Sequence, residues 1–205
     1  STSLTVYCQD DPSFPESVPH EYDQGLDVSH SLKIEVVPTI IRREGGREVG
    51  RTYGWHKDEW RKLTGLATLG EQLPALRPGC GSKNIEPGII EDLLVKHGET
   101  GLQSRKIELG EQEDEVEALF DRGWSDGLPL VPPTEARVLR MLGGTARDPK
   151  EVIGKVPSDL ADCTVEKIAI NAVMAGCKPE YLPVVIAAVD AVLAEPFAMH
   201  GVLAP

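Results

Sequence analysis

Val36-Val37-Pro38-Thr39-Ile40-Ile41-Arg42-Arg43-Glu44-Gly45-Gly46-Arg47-Glu48-Val49-Gly50-Arg51-Thr52-Tyr53 carries the fold reading. Thr39 to Arg43 is rich in β-branched residues and reads as a strand. Gly45-Gly46 supplies positive φ without a Cβ penalty, so it reads as a turn. Arg47 to Tyr53 is then the returning strand. Working outward, Leu4-Thr5-Val6-Tyr7 reads as a short strand and residues 10–25 as a long loop punctuated by Pro12, Pro15 and Pro19. Residues 26–34 read as a short helix or turn. Residues 55–63 read as an amphipathic helix with Trp55, Trp60 and Leu63 apolar and Gly65 just past its end.

The order strand, helix, Val37-Pro38-Thr39, hairpin, helix resembles the C-terminal half of a thioredoxin-like domain. The resemblance covers about 60 residues and implies a cis Val37–Pro38 bond. The first half of that family's domain, with its CxxC motif and long helix, has no counterpart. Cys8 is not the CxxC cysteine by position, and it reads as a small half-buried residue at a strand end. A half sheet exposes a long edge, which isolated proteins avoid. Either another chain completes it or the fold is an abbreviated variant; pairing with a second polypeptide chain is the favoured expectation.

The chain has 205 residues, 21 Lys plus Arg against 33 Asp plus Glu, and a formal charge of −12. This acidity argues against nucleic acid and anionic membrane as partners, which need basic patches. No apolar run reaches the roughly 18 residues of a spanning helix. Residues 66–123 carry 6 basic and 12 acidic residues, half of the excess. The densest part, Glu111 to Asp121, reads as the solvated face of a helix ended by Gly123. Ser104 to Leu109 alternates and suggests a strand. Four cysteines without CxxC spacing exclude a zinc finger or disulfide scaffold and suit a reducing, cytoplasmic setting.

Arg77-Pro78-Gly79-Cys80-Gly81-Ser82-Lys83 is the most unusual local segment. Glycines on both sides let backbone N–H groups converge on the sulfur, an arrangement that stabilises a thiolate. Arg77 and Lys83 add positive charge, and Ser82 adds a hydrogen-bond donor. Cys80 is therefore the candidate nucleophile, against the plainer reading of a packed cysteine in a turn. Its spacing to Lys83 matches a two-thiol motif whose second thiol is lost.

In the last third, Trp124 to Thr134 reads as an extended segment. Thr134 caps a helix to Leu142, ended by Gly143-Gly144. Asp148-Pro149-Lys150-Glu151 has the form of a capping box for a helix ending at Gly154. Thr164 caps Val165 to Ala175, and Gly176 ends that helix. Pro179 opens a final helix to about Ala194, apolar nearly all round and therefore expected to be buried on most sides. The closing Gly201-Val202-Leu203-Ala204-Pro205 is expected to be buried against another chain.

Trp124-Ser125-Asp126-Gly127-Leu128-Pro129-Leu130-Val131-Pro132-Pro133-Thr134 and Val165-Glu166-Lys167-Ile168-Ala169-Ile170-Asn171-Ala172-Val173-Met174-Ala175-Gly176-Cys177 resemble a family of mostly uncharacterised bacterial proteins. Some of these are selenoproteins with a Sec-Gly-Ser-Cys (UGSC) motif. The resemblance implies that Cys80-Gly81-Ser82 holds the reactive position and that related chains continue past Pro205. Lys83 departs from the motif, which leaves no second thiol.

Lys167 and Asn171 stand at i and i+4 on one helix face, whereas Glu166, five residues from Asn171, does not share that face cleanly. They line either a pocket or a solvated stripe. His97 reads as a surface residue. Cys177 and His200 show no spacing that supports a metal site.

The expectation is an α/β or α+β chain in three parts: 1–65 as a thioredoxin-like half domain, 66–123 as a connector, and 124–205 as a mainly helical region. The expected function is that of a soluble thiol-dependent enzyme subunit. Its catalytic set is Cys80, Lys167, Asn171 and Glu166. The reaction is cleavage of a carbon–heteroatom bond or thiol redox transfer on a small molecule. The alternative is a noncatalytic subunit completing a hetero-oligomer. A simple disulfide reductase is least favoured without CxxC. No pattern identifies a cofactor.

Overall fold

The computed structural model describes residues 3–13, 16–157 and 160–203. Pro15, Ala204 and Pro205, which enter the sequence reading, lie outside them. The fold is α+β: among the described residues every sheet has two strands, and only one pairing is parallel. Two compact units divide the chain, Ser1–Leu93 and Leu94–Pro205. The boundary falls inside the segment that the sequence presents as a connector.

In the first unit, β1 (Tyr7–Cys8) pairs in parallel with β2 (Glu21–Tyr22), and α1 (Asp27–Ser31) follows. β3 (Val36–Val37) leads through a cis Val37–Pro38 bond, the isomer that the resemblance implies, into β4 (Thr39–Glu44). β4 and β5 (Arg47–Tyr53) form the expected antiparallel hairpin, with Gly45 and Gly46 at φ 56° and 82°. Trp55 does not open the next helix. Trp55–His56 is β6, and α2 (Lys57–Thr64) starts after it, ending at Gly65 in the left-handed region. Leu63 of α2 packs over Gly50 of β5, where a Cβ would lie 2.7 Å from its Cδ1. β7 (Leu76–Arg77) returns against β6, and β8 (Cys80–Gly81) against β3. A 3-10 turn, Lys83–Ile85, precedes α3 (Ile89–Lys96), which crosses the unit boundary.

The apolar core of this unit is thin. Leu26, Ile34 and Leu93 are its buried hydrophobic residues among those described, beside buried Asp23, Ser29, Thr52, Ser82, Asn84 and Glu91. Polar groups survive burial only when hydrogen-bonded: Asp23, Ser29, Ser82 and Asn84 are webbed together around Gln9, Thr52 donates to Glu59, and Glu91 accepts from the Gly88 amide.

The second unit has the larger core. α4 (Glu115–Asp121) is capped by Asp114, whose carboxylate accepts from the Val116 and Glu117 amides. α5 (Glu135–Leu142) is capped by Thr134. β9 (Val152–Val156) and β10 (Ala161–Thr164) form an antiparallel pair. α6 (Val165–Met174) is capped by Thr164. A 3-10 turn, Pro179–Tyr181, leads into α7 (Leu182–Leu193), and Met199–Leu203 forms α8. Val138, Met141, Val165, Ile168, Ala172 and Leu182 are central to the core.

Three expectations are corrected here. Residues 148–154 are not a helix. Asp148 turns the chain by accepting from the Lys150 amide at 2.8 Å, Arg147 grips Glu151, and Val152 onward pairs with β10. Ser104 to Leu109 forms no strand: no described strand pairs with it, and the amides of Gln103 and Ser104 are committed to Glu166. α7 is not buried on most sides. Leu182 and Ile186 are buried, but Val184 is 72% exposed, because the rest of the unit covers α7 only in part. Val202 near the chain's end is likewise exposed.

No single helix among the described residues is long and apolar enough to cross a membrane. Pro179–Leu193 and Glu195–Val202 reach that length only as a pair, bent by 71°.

Candidate functional site

Cys80 is exposed on β8, opposite Val37 in the β3–β8 pairing. Two glycines set it there. A Cβ on Gly79 would lie 2.3 Å from Val36 Cγ1 and 2.7 Å from the Val37 carbonyl oxygen. A Cβ on Gly54 would lie 2.8 Å from the Gly79 nitrogen. Two stretches of backbone therefore touch where side chains would hold them apart.

Beyond Cys80, Ser82 is completely buried, and its amide donates to the Glu35 carbonyl at 3.0 Å. Its hydroxyl accepts from Gln9 Nε2 at 2.8 Å and donates to Asn84 Oδ1. Gln9 Nε2 also donates to Ser29 Oγ at 2.6 Å, and Ser29 Oγ donates to Asp23 Oδ2 at 2.6 Å. Gln9 Oε1 accepts from the Lys83 amide at 3.3 Å. One glutamine thus ties β1 to the segment after Cys80, across more than 70 residues of sequence. The sequence signals nothing of this role.

The environment of Cys80 differs from the sequence reading in three respects. Neither Gly79 nor Gly81 has positive φ, so the extended backbone builds no anion-binding nest. The Lys83 ammonium pairs with Asp10 at 2.5 Å, which raises the lysine above its ordinary range. Ser82 spends its hydroxyl on Asn84. What remains around the sulfur is exposure on a rigid frame. Cys8 is half-buried and donates to the Asp11 carbonyl at 3.0 Å, in keeping with a structural role.

The glycines on either side of Cys80 give a direct test. Gly79→Ala is expected to destabilise the first unit by about 2 kcal/mol, as overpacking against fixed atoms does. Gly81→Ala meets nothing within 4 Å and should stay within about 0.5 kcal/mol of the parent chain. Urea unfolding of both variants measures the contrast, and equal midpoints would refute the close approach.

Glu166, Lys167 and Asn171 belong to the second unit. Glu166 is 3% exposed and faces away from the other two. Its carboxylate accepts from the Gln103 amide at 3.1 Å and the Ser104 amide at 2.7 Å. Burial pushes this carboxyl up, but hydrogen bonds from the side chain and amide of Ser104 and the amide of Gln103 outweigh it. The net effect holds Glu166 below the ordinary glutamate range. Glu166 therefore acts as a clamp on the loop at Gln103 and Ser104.

Lys167 and Asn171 do come together. Asn171 Nδ2 donates to the Lys167 carbonyl at 2.8 Å, and both residues border an open, apolar recess of about 300 Å³. Its apolar walls include Val156, Cys163, Val185 and Val189. Lys167 Nζ donates to the Asp162 carbonyl at 2.7 Å. Burial pushes the Cys163 thiol up, and the charge of Lys167 partly opposes that. Sequence reasoning missed Cys163. The available signal was the β-branched spacing of Val152, Ile153 and Val156, which marks a strand able to pair with the cysteine's own strand.

No group of three or more His, Cys, Asp and Glu residues among those described is placed to hold a metal ion. No protein-family model, curated protein or solved structure matches the chain.

Proposed function

We propose that the chain is a subunit of a thiol-dependent enzyme in which Cys80 is the reacting sulfur. The observation that carries this reading is an exposed thiol held at a fixed point, between Gly79 packed on Val36–Val37 and a fully buried Ser82. A nucleophile gains from such pre-positioning because little motion need be frozen when it reacts. The UGSC-like reading of Cys80-Gly81-Ser82 favours the same residue. The chemistry is nucleophilic: the Cys80 sulfur attacks a disulfide sulfur, releasing the other thiolate, or an electrophilic carbon, releasing its heteroatom group. A cytoplasmic setting accords with four free cysteines.

A second chain completing the fold belongs to this reading. Specific observations favour it: the thin apolar core of the first unit and the exposed Val184 on α7. Those same features are what a noncatalytic subunit would show, and the thiol experiment separates the two roles.

A small aromatic disulfide in slight excess is expected to modify Cys80 first. The rate should exceed that of Cys80 in the urea-unfolded chain, with peptide mass spectrometry assigning the site. Cys80→Ser should remove the fast phase and leave the fold unchanged by circular dichroism. A native rate no higher than the unfolded one would remove Cys80 from any mechanism and leave the noncatalytic role. Light scattering on the same preparation reports the assembly.

A further inference from the structure

α4 buries one face and leaves another bare. Ala118 and Leu119 are buried, whereas Val116 and Phe120, one helical turn apart, are exposed, Phe120 at 56%. Leu128 is exposed at 69%. These residues line a groove of about 350 Å³ between α4 and residues 125–130. Both of its walls are held in place. The Ser125 hydroxyl accepts from the Gly127 amide at 3.0 Å and donates to the Leu128 carbonyl, which closes the turn. The Val131 amide donates to the Met174 carbonyl of α6 at 3.1 Å. On the other side, Arg122 donates to the Ala118 carbonyl at 2.8 Å and Asp114 caps α4. An exposed apolar groove edged by charge marks a contact site for another molecule.

The charge at its edge is acidic and uncompensated. Glu117 and Asp121 line the same groove, again one turn apart. Their acidic neighbours are engaged: Asp114 caps the helix, and Glu113 pairs with Arg122 at 3.0 Å. No basic side chain among the described residues lies at ion-pair distance from Glu117 or Asp121. Like charges at i and i+4 destabilise a helix, and an acid in the last turn opposes the helix dipole. A cation arriving beside them relieves both effects. A second copy of this chain, with its net charge of −12, is the less complementary occupant. α4 is about 10 Å long, enough to contact about two turns of a helix laid alongside it.

We propose that the groove between α4 and residues 125–130 docks a basic amphipathic segment of a partner protein. Apolar side chains of that segment pack on Val116, Phe120 and Leu128, and its Lys or Arg side chains pair with Glu117 and Asp121. The site depends neither on Cys80 nor on a chain that completes the first unit, so each can fail without the other.

The test uses the full chain and synthetic peptides of about 14 residues, a length at which an isolated helix is marginally stable. The probe carries Leu on one helical face and Lys on the other. One control peptide replaces every Lys with Glu, and another replaces every Leu with Ser. Fluorescence anisotropy should show saturable binding of the Leu/Lys peptide, with each control at least roughly tenfold weaker. Phe120→Ala and Leu128→Ala should each weaken the probe roughly tenfold, as loss of one buried apolar contact does. Glu117→Gln with Asp121→Asn should weaken it roughly tenfold and flatten its salt dependence. Glu16→Gln with Glu71→Gln removes the same charge from exposed positions of the first unit and should leave the affinity within about twofold. All the substituted groove residues are exposed, so each variant should keep the parent's circular dichroism. The absence of saturable binding, equal affinity for the Leu/Lys and Ser/Lys peptides, or equal effects of the two charge-removing pairs would each overturn the proposal. A dimer seen by light scattering and dissociated by Phe120→Ala would assign the groove to a second copy and overturn it too.

Discussion

Gly144→Ala is expected to destabilise the second unit by about 3 kcal/mol, the upper end of what overpacking costs. Gly144 follows α5 and lies against the 3-10 turn that opens α7. A Cβ there would sit 2.0 Å from the Pro179 carbonyl oxygen, 2.6 Å from its carbonyl carbon and 3.1 Å from its Cα. All three are backbone atoms, so no rotamer change relieves the clash, and the turn or the end of α5 must move. The neighbouring Gly143→Ala is the control, because its Cβ would come no nearer than 3.2 Å, to the Arg140 carbonyl oxygen of its own helix. It should cost less than about 1 kcal/mol. Urea unfolding monitored by circular dichroism reads both. A Gly144→Ala variant as stable as Gly143→Ala would mean that α5 and the Pro179 turn do not approach so closely.

Removing the Glu166 carboxylate should be similarly costly. Glu166→Ala leaves the Gln103 and Ser104 amides without their acceptor in a largely buried place, which costs about 3 kcal/mol. Glu166→Gln retains one acceptor oxygen and turns an N–H towards the donors, so an intermediate loss is expected. Acid makes the same point reversibly. The folded chain holds this carboxyl below its ordinary range. The stabilisation is therefore complete above the ordinary glutamate value of about 4.3. It fades as pH falls through the lowered folded value. The parent chain should lose more unfolding free energy between pH 6 and pH 3 than Glu166→Gln does. Parallel pH profiles for the two would show that Glu166 contributes nothing specific in acid.

Turns and helix ends were the parts most legible in the sequence, because the residues that make them act locally. Gly45-Gly46 bends the β4–β5 hairpin, and Gly65, Gly98, Gly123 and Gly176 adopt positive φ at or just beyond the ends of their helices. Thr134 and Thr164 cap α5 and α6 as their hydroxyls predict. In each case the partner lies within four residues, so the pattern contains its own explanation.

Residues 148–154 show where local reading fails. Asp148, Pro149 and Glu151 have the form of a helix start, yet Asp148 closes a turn and Val152 to Val156 finds β10. The competing partner comes from later in the chain, and local propensity is too weak to resist it. The anion-binding nest expected around Cys80 failed in the same way. The glycines beside Cys80 permit it, but Gly79 is used for contact with Val36 and Val37, and Lys83 is used by Asp10.

The candidate site divided along the same line. The i, i+4 relation of Lys167 and Asn171 was readable, and the structure places both beside one open recess. That Glu166, one residue away, turns inward to hold Gln103 and Ser104 was not readable, because its partners lie more than 60 residues away.

The sequence by itself determined the mixture of helix and strand, the β4–β5 hairpin and the Thr134 and Thr164 caps, all set by residue chemistry over a few positions. Only the tertiary structure decided which polar residues are clamps and which border a recess. Burial and hydrogen-bond partnership depend on distant segments arriving at the same place, and no local pattern encodes that arrival.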